Sequence, residues 1–273
     1  MVLTLDKLTN LDFEYVVSEI CSFIVRQVED SGCRGAVVGL SGGIDSSVTA
    51  FLLVRALGSD RVLGLIMPYI TTPKEDVEDA KKVAEILGIK YRIIDISNIR
   101  DAYAKSIPDF DENDRIPTGN LLPRIRMTLL YYYANKYNMI VAGTGDRSEI
   151  LIGYFTKYGD GGVDILPIGS LYKTQVRALG KYLGVPESIV KKPSSPRLWP
   201  GHIAEEELGL KYEEIDLILH CLFDLGLDID ETVKETGISR DKVVKVVKMY
   251  ETTKHKRRLP PTPMLDPSRM YKI

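Results

Sequence analysis

Cysteine is scarce in this 273-residue chain: Cys21, Cys33 and Cys221 are odd in number, far apart and in no Cys-x-x-Cys pairing. That excludes a disulfide framework and an ordinary structural zinc site, and it fits a reducing compartment. No apolar run approaches the roughly 20 residues that span a bilayer, and the N-terminus, Met1-Val2-Leu3-Thr4-Leu5-Asp6-Lys7, lacks the apolar core of a signal peptide. A cytoplasmic protein with no membrane contact is expected. Excess charge of one sign is absent too, since 36 Lys and Arg oppose 38 Asp and Glu for a net charge of −2. The chain as a whole therefore offers no electrostatic grip on nucleic acid or anionic lipid. Its 44% apolar content excludes disorder, and its length suits one large α/β domain with at most a small appendage.

What the chain does have is Ser41-Gly42-Gly43-Ile44-Asp45-Ser46-Ser47, set between the apolar runs Ala36 to Leu40 and Val48 to Val54. The first run reads as a buried parallel strand and the second as a helix, so the Gly/Ser stretch is the turn between them. Two glycines, three hydroxyls and the free N–H groups of a helix start together form a nest for an anion, and phosphate is its natural occupant. The loop carries no lysine and is not a Walker A sequence. It carries Asp45 instead, and an acid inside an anion site implies a cation between the two, so Asp45 reads as a Mg²⁺ ligand.

Further along, Phe13, Val16, Val17, Ile20, Ile24 and Val28 recur at helical spacing, with Asn10 as the expected N-cap. Strands are expected at Arg61 to Met67, Tyr91 to Ile96 and Met139 to Ala142, with a charged helix opened by Pro73 and ended by Gly88. This alternation implies βαβ units and a parallel sheet with right-handed crossovers. Asp109 to Thr118 reads as a polar loop, and Gly119 to Met127 leads into a helix. Arg124 and Arg126, two apart, must point differently, one toward a ligand and the other bracing a loop. A second strand-end loop, Gly143-Thr144-Gly145-Asp146-Arg147-Ser148-Glu149, would line the same crevice as the first. Asp45 and Glu149 would then meet at one cation.

The Ser41 to Ser46 loop resembles the pyrophosphate-binding loop of the N-type ATP pyrophosphatases, which implies ATP cleaved between its α and β phosphates. The motifs GNxxxRxRM (from Gly119), GTxxxxE (from Gly143), YFTKYGDGGVDILP (from Tyr154) and HKR (from His255), in this order, are similar to those of the ammonia-using NAD synthetase family. The resemblance implies a Rossmann-like α/β parallel sheet of the adenine-nucleotide α-hydrolase type, with helices on both faces and a helical C-terminal region. It places one synthetase domain over 1–273, a nucleotide-binding core to residue 200 and the helical region beyond. Implied substrates are ATP, deamido-NAD and ammonia, with Mg²⁺ and a homodimer. Gly39, Leu40, Ser41, Gly42, Gly43, Ile44, Asp45 and Ser46 would hold ATP together with Thr144, Lys173 and Ser194, Ser195 being the alternative to Ser194. Asn120, Arg124, Phe155, Lys157, Asp164, His255 and Lys256 would hold deamido-NAD. Asp45 and Glu149 would bind Mg²⁺, and Asp160 would position ammonia. Asp45, Glu149, Lys173 and Asp160 are thus the expected catalytic set.

Glutamine-using relatives carry an additional amidohydrolase domain, for which the motifs leave no room, so free ammonia or ammonia from a separate partner is the expected nitrogen source. Trp199, between Pro196 and Pro200, reads as part of a surface lid. Tyr212 to Met249 reads as helical, with a helix-turn-helix look around Gly237. The runner-up is a tRNA-modifying ATP pyrophosphatase that grips RNA with that motif and the basic run Lys254 to Arg258. Near-neutral charge, the absence of paired catalytic cysteines and the acids Asp224, Asp228, Asp230 and Glu231 weigh against it. A nucleotide-binding regulator without catalysis would need neither Glu149 nor Lys173.

Overall fold

Helices α1 (Leu5–Thr9) and α2 (Phe13–Asp30) precede the first strand, β1 (Ala36–Gly39), in a computed structural model that describes residues 3–199 and 201–270. There follow α3 (Ile44–Leu57), β2 (Val62–Ile66), α4 (Lys74–Leu87), β3 (Lys90–Ile93), α5 (Ser97–Ser106), α6 (Arg115–Tyr137) and β4 (Ile140–Ala142). Beyond the sheet come α7 (Arg147–Ile152), α8 (Lys173–Leu183), α9 (Glu187–Val190), α10 (Ala204–Leu208), α11 (Tyr212–Phe223), α12 (Ile229–Thr236) and α13 (Arg240–Thr252).

The four strands are parallel, in the order β3-β2-β1-β4. Their period-two alternation sorts the apolar side chains into two layers. Ala36, Val38, Val62 and Ile66 face α2, α3 and α8, while Val37, Leu63 and Leu65 face α6. Because both faces are covered, β1, β2 and β4 are almost wholly buried, as a parallel sheet requires. The chain winds outward from β1 to β3 and returns to β4 on the other side of β1. The strand order thus reverses between β1 and β4, and a crevice opens at their C-terminal ends.

A third apolar cluster, Tyr172, Ala204, Tyr212, Ile215, Ile218 and Val243 among its members, packs the C-terminal helices onto α1 and α7. The helical C-terminal region is therefore built onto the α/β core.

Several boundaries differ from the sequence expectation for local reasons. Asp12, not Asn10, caps α2, its carboxylate accepting the Tyr15 N–H at 3.0 Å, because Asn10 ends the short α1. Pro73 is the N-cap residue of α4 itself. The polar loop ends early: α6 starts at Arg115, where Pro117 costs nothing because first-turn N–H groups lack helical partners anyway. The stretch from Tyr212 to Met249 is helical as expected, in three helices divided after Phe223 and at Gly237. The expected helix-turn-helix is α12 and α13, and it packs inward on α11 and α7.

Candidate active site

The loop after β1 folds on itself at the crevice. Ser41 and Ser46 hydroxyls lie 3.0 Å apart, Ser46 Oγ accepts the Ser41 N–H, and Ser47 donates to Gly43 O at 2.8 Å. Gly42 has φ +76°, and a Cβ there would sit 2.1 Å from the Asp76 carbonyl oxygen, so only glycine lets this loop lie against the first turn of α4. Lys192 ties the same corner together, donating to Gly42 O and Asp76 and pairing with Asp79, while Arg197 Nε reaches Asp76 at 2.9 Å. The loop faces a cleft of about 480 Å³ whose wall includes Gly39, Leu40, Ser41, Gly43, Ile44, Asp45 and Ser46.

Thr144, from the loop after β4, and Glu149, on the first turn of α7, line the same cleft. Between the two loops stands Lys173, at the N-terminus of α8 and wholly buried. Its Nζ lies 2.7 Å from Asp45 Oδ2, 2.8 Å from Glu149 Oε1 and 2.8 Å from Asp146 Oδ2. Burial alone would lower the Lys173 pKa, but the three carboxylates outweigh it and hold the ammonium well above its ordinary value. Burial pushes Glu149 well above the usual carboxylate range, against the pull of Lys173, and raises Asp146 likewise.

Three acids facing one ammonium leave an excess of two negative charges when all are ionised. Asp45 Oδ1 is buried without a hydrogen-bond partner. No trio of His, Cys, Asp or Glu among the described residues is arranged to hold a metal unaided. One or two hard carboxylate oxygens, completed by water and phosphate, is the set that suits Mg²⁺, so Asp45 and Glu149 fit that ion.

The far wall is built from α6 and the segment after α7. Asn120 Oδ1 accepts the Thr156 hydroxyl at 2.6 Å, and Asp160 accepts the Thr156 N–H at 2.9 Å. Phe155, Asp160 and Lys256 line the cleft, with Lys256 Nζ 5.4 Å above the Phe155 ring. Asp160 opens to the cleft but is walled by protein elsewhere, and this desolvation raises its pKa. Two members of the basic run turn inward: Lys256 donates to the carbonyls of Gly153 and Phe155, and Arg257 to that of Leu151, capping the end of α7 where cations are favoured. Gly153 is needed there, since a Cβ would meet Thr253 at 2.2 Å.

Six expected residues lie outside the cleft wall: Gly42 and the wholly buried Lys173, which sit behind it, and four more. Arg124 and His255 are exposed, Lys157 stacks its ammonium 5.2 Å over Tyr158, and Asp164 accepts from Tyr131 OH and the Val141 N–H. Of the arginine pair it is Arg126 that lines the cleft, its Nε donating to Met67 O and burial lowering its pKa to about 10, whereas Arg124 donates to Lys157 O at 3.4 Å.

Residues 192–199 and His202 also line the cleft. Ser194 and Ser195 both line it, but their hydroxyls differ. Ser195 donates to His202 O, whereas Ser194 Oγ accepts from Arg177 at 3.3 Å and keeps its own proton to donate. Trp199 stacks on His202 at 3.5 Å, and Pro200 lies outside the described residues. Tyr154 OH and His202 Nε2 both contact Glu207, at 2.6 and 2.7 Å.

The NAD synthase family model matches residues 16–260. The chain belongs to the NAD synthase family. The NH3-dependent NAD⁺ synthetase of Hyperthermus butylicus is 58% identical over 264 residues, spanning 96% of this chain and 95% of that one. Among solved structures, an NMN synthetase from Francisella tularensis is 35% identical with a TM-score of 0.83, covering 94% of this chain and all of that one. An NH3-dependent NAD synthetase from Campylobacter jejuni, in complex with nitrate, is 33% identical with a TM-score of 0.78, covering 93% and 100%.

For this NAD synthase family member, sequence reading missed Asp146, Arg197, His202 and Glu207. Asp146 had a legible sign: it is the N-cap of α7, accepting the Glu149 N–H at 2.8 Å, and an acid three residues before Glu149 at a helix start invites that reading. The contacts of Arg197, His202 and Glu207 depend on how this cleft-lining segment folds, which no periodicity reveals.

Proposed function

We propose that this chain is an NH3-dependent NAD synthetase that converts deamido-NAD, ATP and ammonia to NAD, AMP and pyrophosphate. The observation that carries the reading is one cleft in which the β1 and β4 loops meet over Lys173, opposite a wall made by Asn120, Phe155 and Asp160. A triphosphate cradle and an acceptor wall share one space.

A nicotinate carboxylate oxygen attacks the α-phosphorus, the bond to the bridging oxygen breaks, and pyrophosphate leaves. Loop N–H groups and the Ser41 and Ser46 hydroxyls donate to the phosphates, Thr144 and Ser194 flank ATP, and the Lys173 ammonium faces the growing negative charge. Asp45 and Glu149 would hold Mg²⁺, which when bound adds positive charge beside the departing pyrophosphate. Ammonia nitrogen then attacks the acyl carbon, the acyl–oxygen bond breaks, AMP leaves, and the surplus proton passes to Asp160, whose pKa desolvation raises above the ordinary carboxylate value. Asn120 and Phe155 orient the pyridine ring, and Lys256 reaches the same wall. Arg124, Lys157, Asp164 and His255, on the adjoining surface, are assigned to the remainder of deamido-NAD. Holding the reactants in line can supply about 7–11 kcal/mol of the barrier.

The protein is assigned to the cytoplasm, in keeping with three free cysteines and with no helix among the described residues long and apolar enough to cross a membrane. It is read as one synthetase domain and as a homodimer formed through α6, where Tyr132 stands 58% exposed while Tyr131 and Tyr133 turn inward. Sedimentation at micromolar concentration tests the dimer, and Tyr132→Glu should shift it to monomer.

Incubation with ATP, Mg²⁺, deamido-NAD and ammonium should yield NAD and AMP in equal amounts. AMP without NAD would move the acceptor elsewhere, to RNA in the tRNA-modifying alternative. The Francisella neighbour raises a second reading, in which the same amidation takes a mononucleotide acceptor. Comparing kcat/KM for deamido-NAD and nicotinate mononucleotide decides between them, and the 58% identical relative favours the dinucleotide.

A further inference from the structure

Helix α11 belongs to the C-terminal region, where sequence reading places no functional residue before His255. Its Asp216 is nevertheless wholly buried, between Ile215 and the apolar residues Ile218 and Leu219. One oxygen, Oδ1, accepts the Ser148 hydroxyl at 2.5 Å, and the other, Oδ2, accepts the Thr174 N–H at 2.8 Å. Ser148 Oγ in turn accepts the Lys173 N–H at 2.9 Å. Ser148 immediately precedes Glu149, and Thr174 immediately follows Lys173. A single carboxylate therefore ties together the two backbone segments whose side chains meet 2.8 Å apart, Glu149 lining the cleft and Lys173 buried behind it.

We propose that Asp216 is a positioning residue that fixes Lys173 and Glu149 relative to one another for the ATP-cleaving half-reaction; this rests on the synthetase reading. Asp216 does not line the cleft and so acts through its neighbours. A buried carboxylate is expensive, and an apolar residue would fill the same space at lower cost. Desolvation, aided by the nearby Asp146, pushes its pKa up to about 7, so the fold tolerates a fourth acid near a site already rich in them. What the acid provides is two acceptors at a fixed spacing, satisfying the first two N–H groups of α8 directly and through Ser148. Helix α8 cannot rotate or slide without breaking them, and with it Lys173 stays under the phosphates.

The test measures deamido-NAD-dependent ATP–pyrophosphate exchange, without ammonia, for wild type, Asp216→Asn and Asp216→Ala, with active sites titrated by a single-turnover burst of pyrophosphate. Displacement of a catalytic group by about 1 Å can cost roughly 100-fold, so Asp216→Ala should lose about that in exchange rate per active site, Asp216→Asn less, with the KM for deamido-NAD nearly unchanged. A helix cap of purely structural value would reduce the number of active sites and the melting temperature but leave the rate per site at the wild-type level. That result would overturn the proposal. If Asp216→Ala does not fold, the isosteric Asp216→Asn decides alone. Absence of exchange in the wild type would overturn the functional reading itself, whereas wild-type exchange with unaltered variants would overturn only the role of Asp216.

Discussion

Lys173 Nζ lies 2.7 Å from Asp45 Oδ2 although 128 residues separate the two in sequence. Asp45 rides on the first turn of α3, directly after β1, and Lys173 on the first turn of α8. The close packing of α3 on α8 makes the meeting possible: at Gly180 a Cβ would approach Ile44 Cδ1 to 2.7 Å. The ion pair that organises the site is thus a consequence of helix packing in the main core.

Replacing Lys173 by Met should be far more damaging than its size suggests. The ammonium is the shared counter-charge of Asp45, Asp146 and Glu149, and removing one partner of a buried pair typically costs about 3–5 kcal/mol. The variant is expected to lose measurable ATP–pyrophosphate exchange and to melt lower than wild type near neutral pH. Acidification, which neutralises the stranded carboxylates, should narrow the difference in melting temperature. An equal difference at every pH would show that the three acids do not depend on this lysine.

Stability should also report on Asp216. In the unfolded chain an aspartate titrates near ~3.9, and in the fold Asp216 is pushed up to about 7. Between those values the native state binds a proton that the unfolded state does not, so stability falls as pH rises through that window and the penalty is complete above it. At ~1.36 kcal/mol per unit the penalty is at most roughly 4 kcal/mol. Asp216→Asn cannot titrate and should lack this fall, which urea midpoints at about pH 5 and about pH 8 would measure.

Much of this architecture was readable from the chain. The strand–loop–helix at Ser41 and its counterpart at Gly143 announced a parallel sheet with a crevice at its strand ends, because buried apolar runs followed by Gly-rich turns have few other solutions. Ser41, Asp45, Thr144 and Glu149 duly meet there. The roles of Asp146 and Asp216 were hidden because a buried acid is defined by what packs around it, and Asp216 looks in sequence like any other charge on an amphipathic helix. The divided loyalties of Ser194 and Ser195 were equally illegible, since adjacent serines in a proline-rich loop have no period to orient them.

Those serines should separate on substitution. Ser195 spends its proton on the His202 carbonyl within the loop, whereas Ser194 has only accepted a bond, from Arg177. Ser194→Ala should therefore raise the KM for ATP, by about fivefold for one hydrogen bond worth roughly 1 kcal/mol. Ser195→Ala should leave ATP binding closer to wild type and loosen the stacked Trp199, seen as a change in its fluorescence, Trp199 being the one tryptophan in the chain. The reverse pattern would assign the ATP contact to Ser195.

Asp160 provides the sharpest division of the reaction into its halves. It faces the cleft on the same wall as Asn120 and Phe155, away from the Lys173 cluster, and its carboxylate accepts the Thr156 N–H at 2.9 Å. Asp160→Asn keeps that shape and removes the base. Exchange of pyrophosphate into ATP, which needs no ammonia, should survive largely intact. NAD formation should fall by about 10²–10⁴-fold, the usual contribution of a positioned general base. Because the raised pKa of Asp160 governs how much of it is ready to accept a proton, the wild-type rate at saturating ammonium should rise with pH through the titration of this group, and the asparagine variant should lose that limb while keeping the separate dependence set by the ammonium–ammonia equilibrium. If exchange and NAD formation decline together, Asp160 serves the binding of the dinucleotide, and the proton must leave by another route.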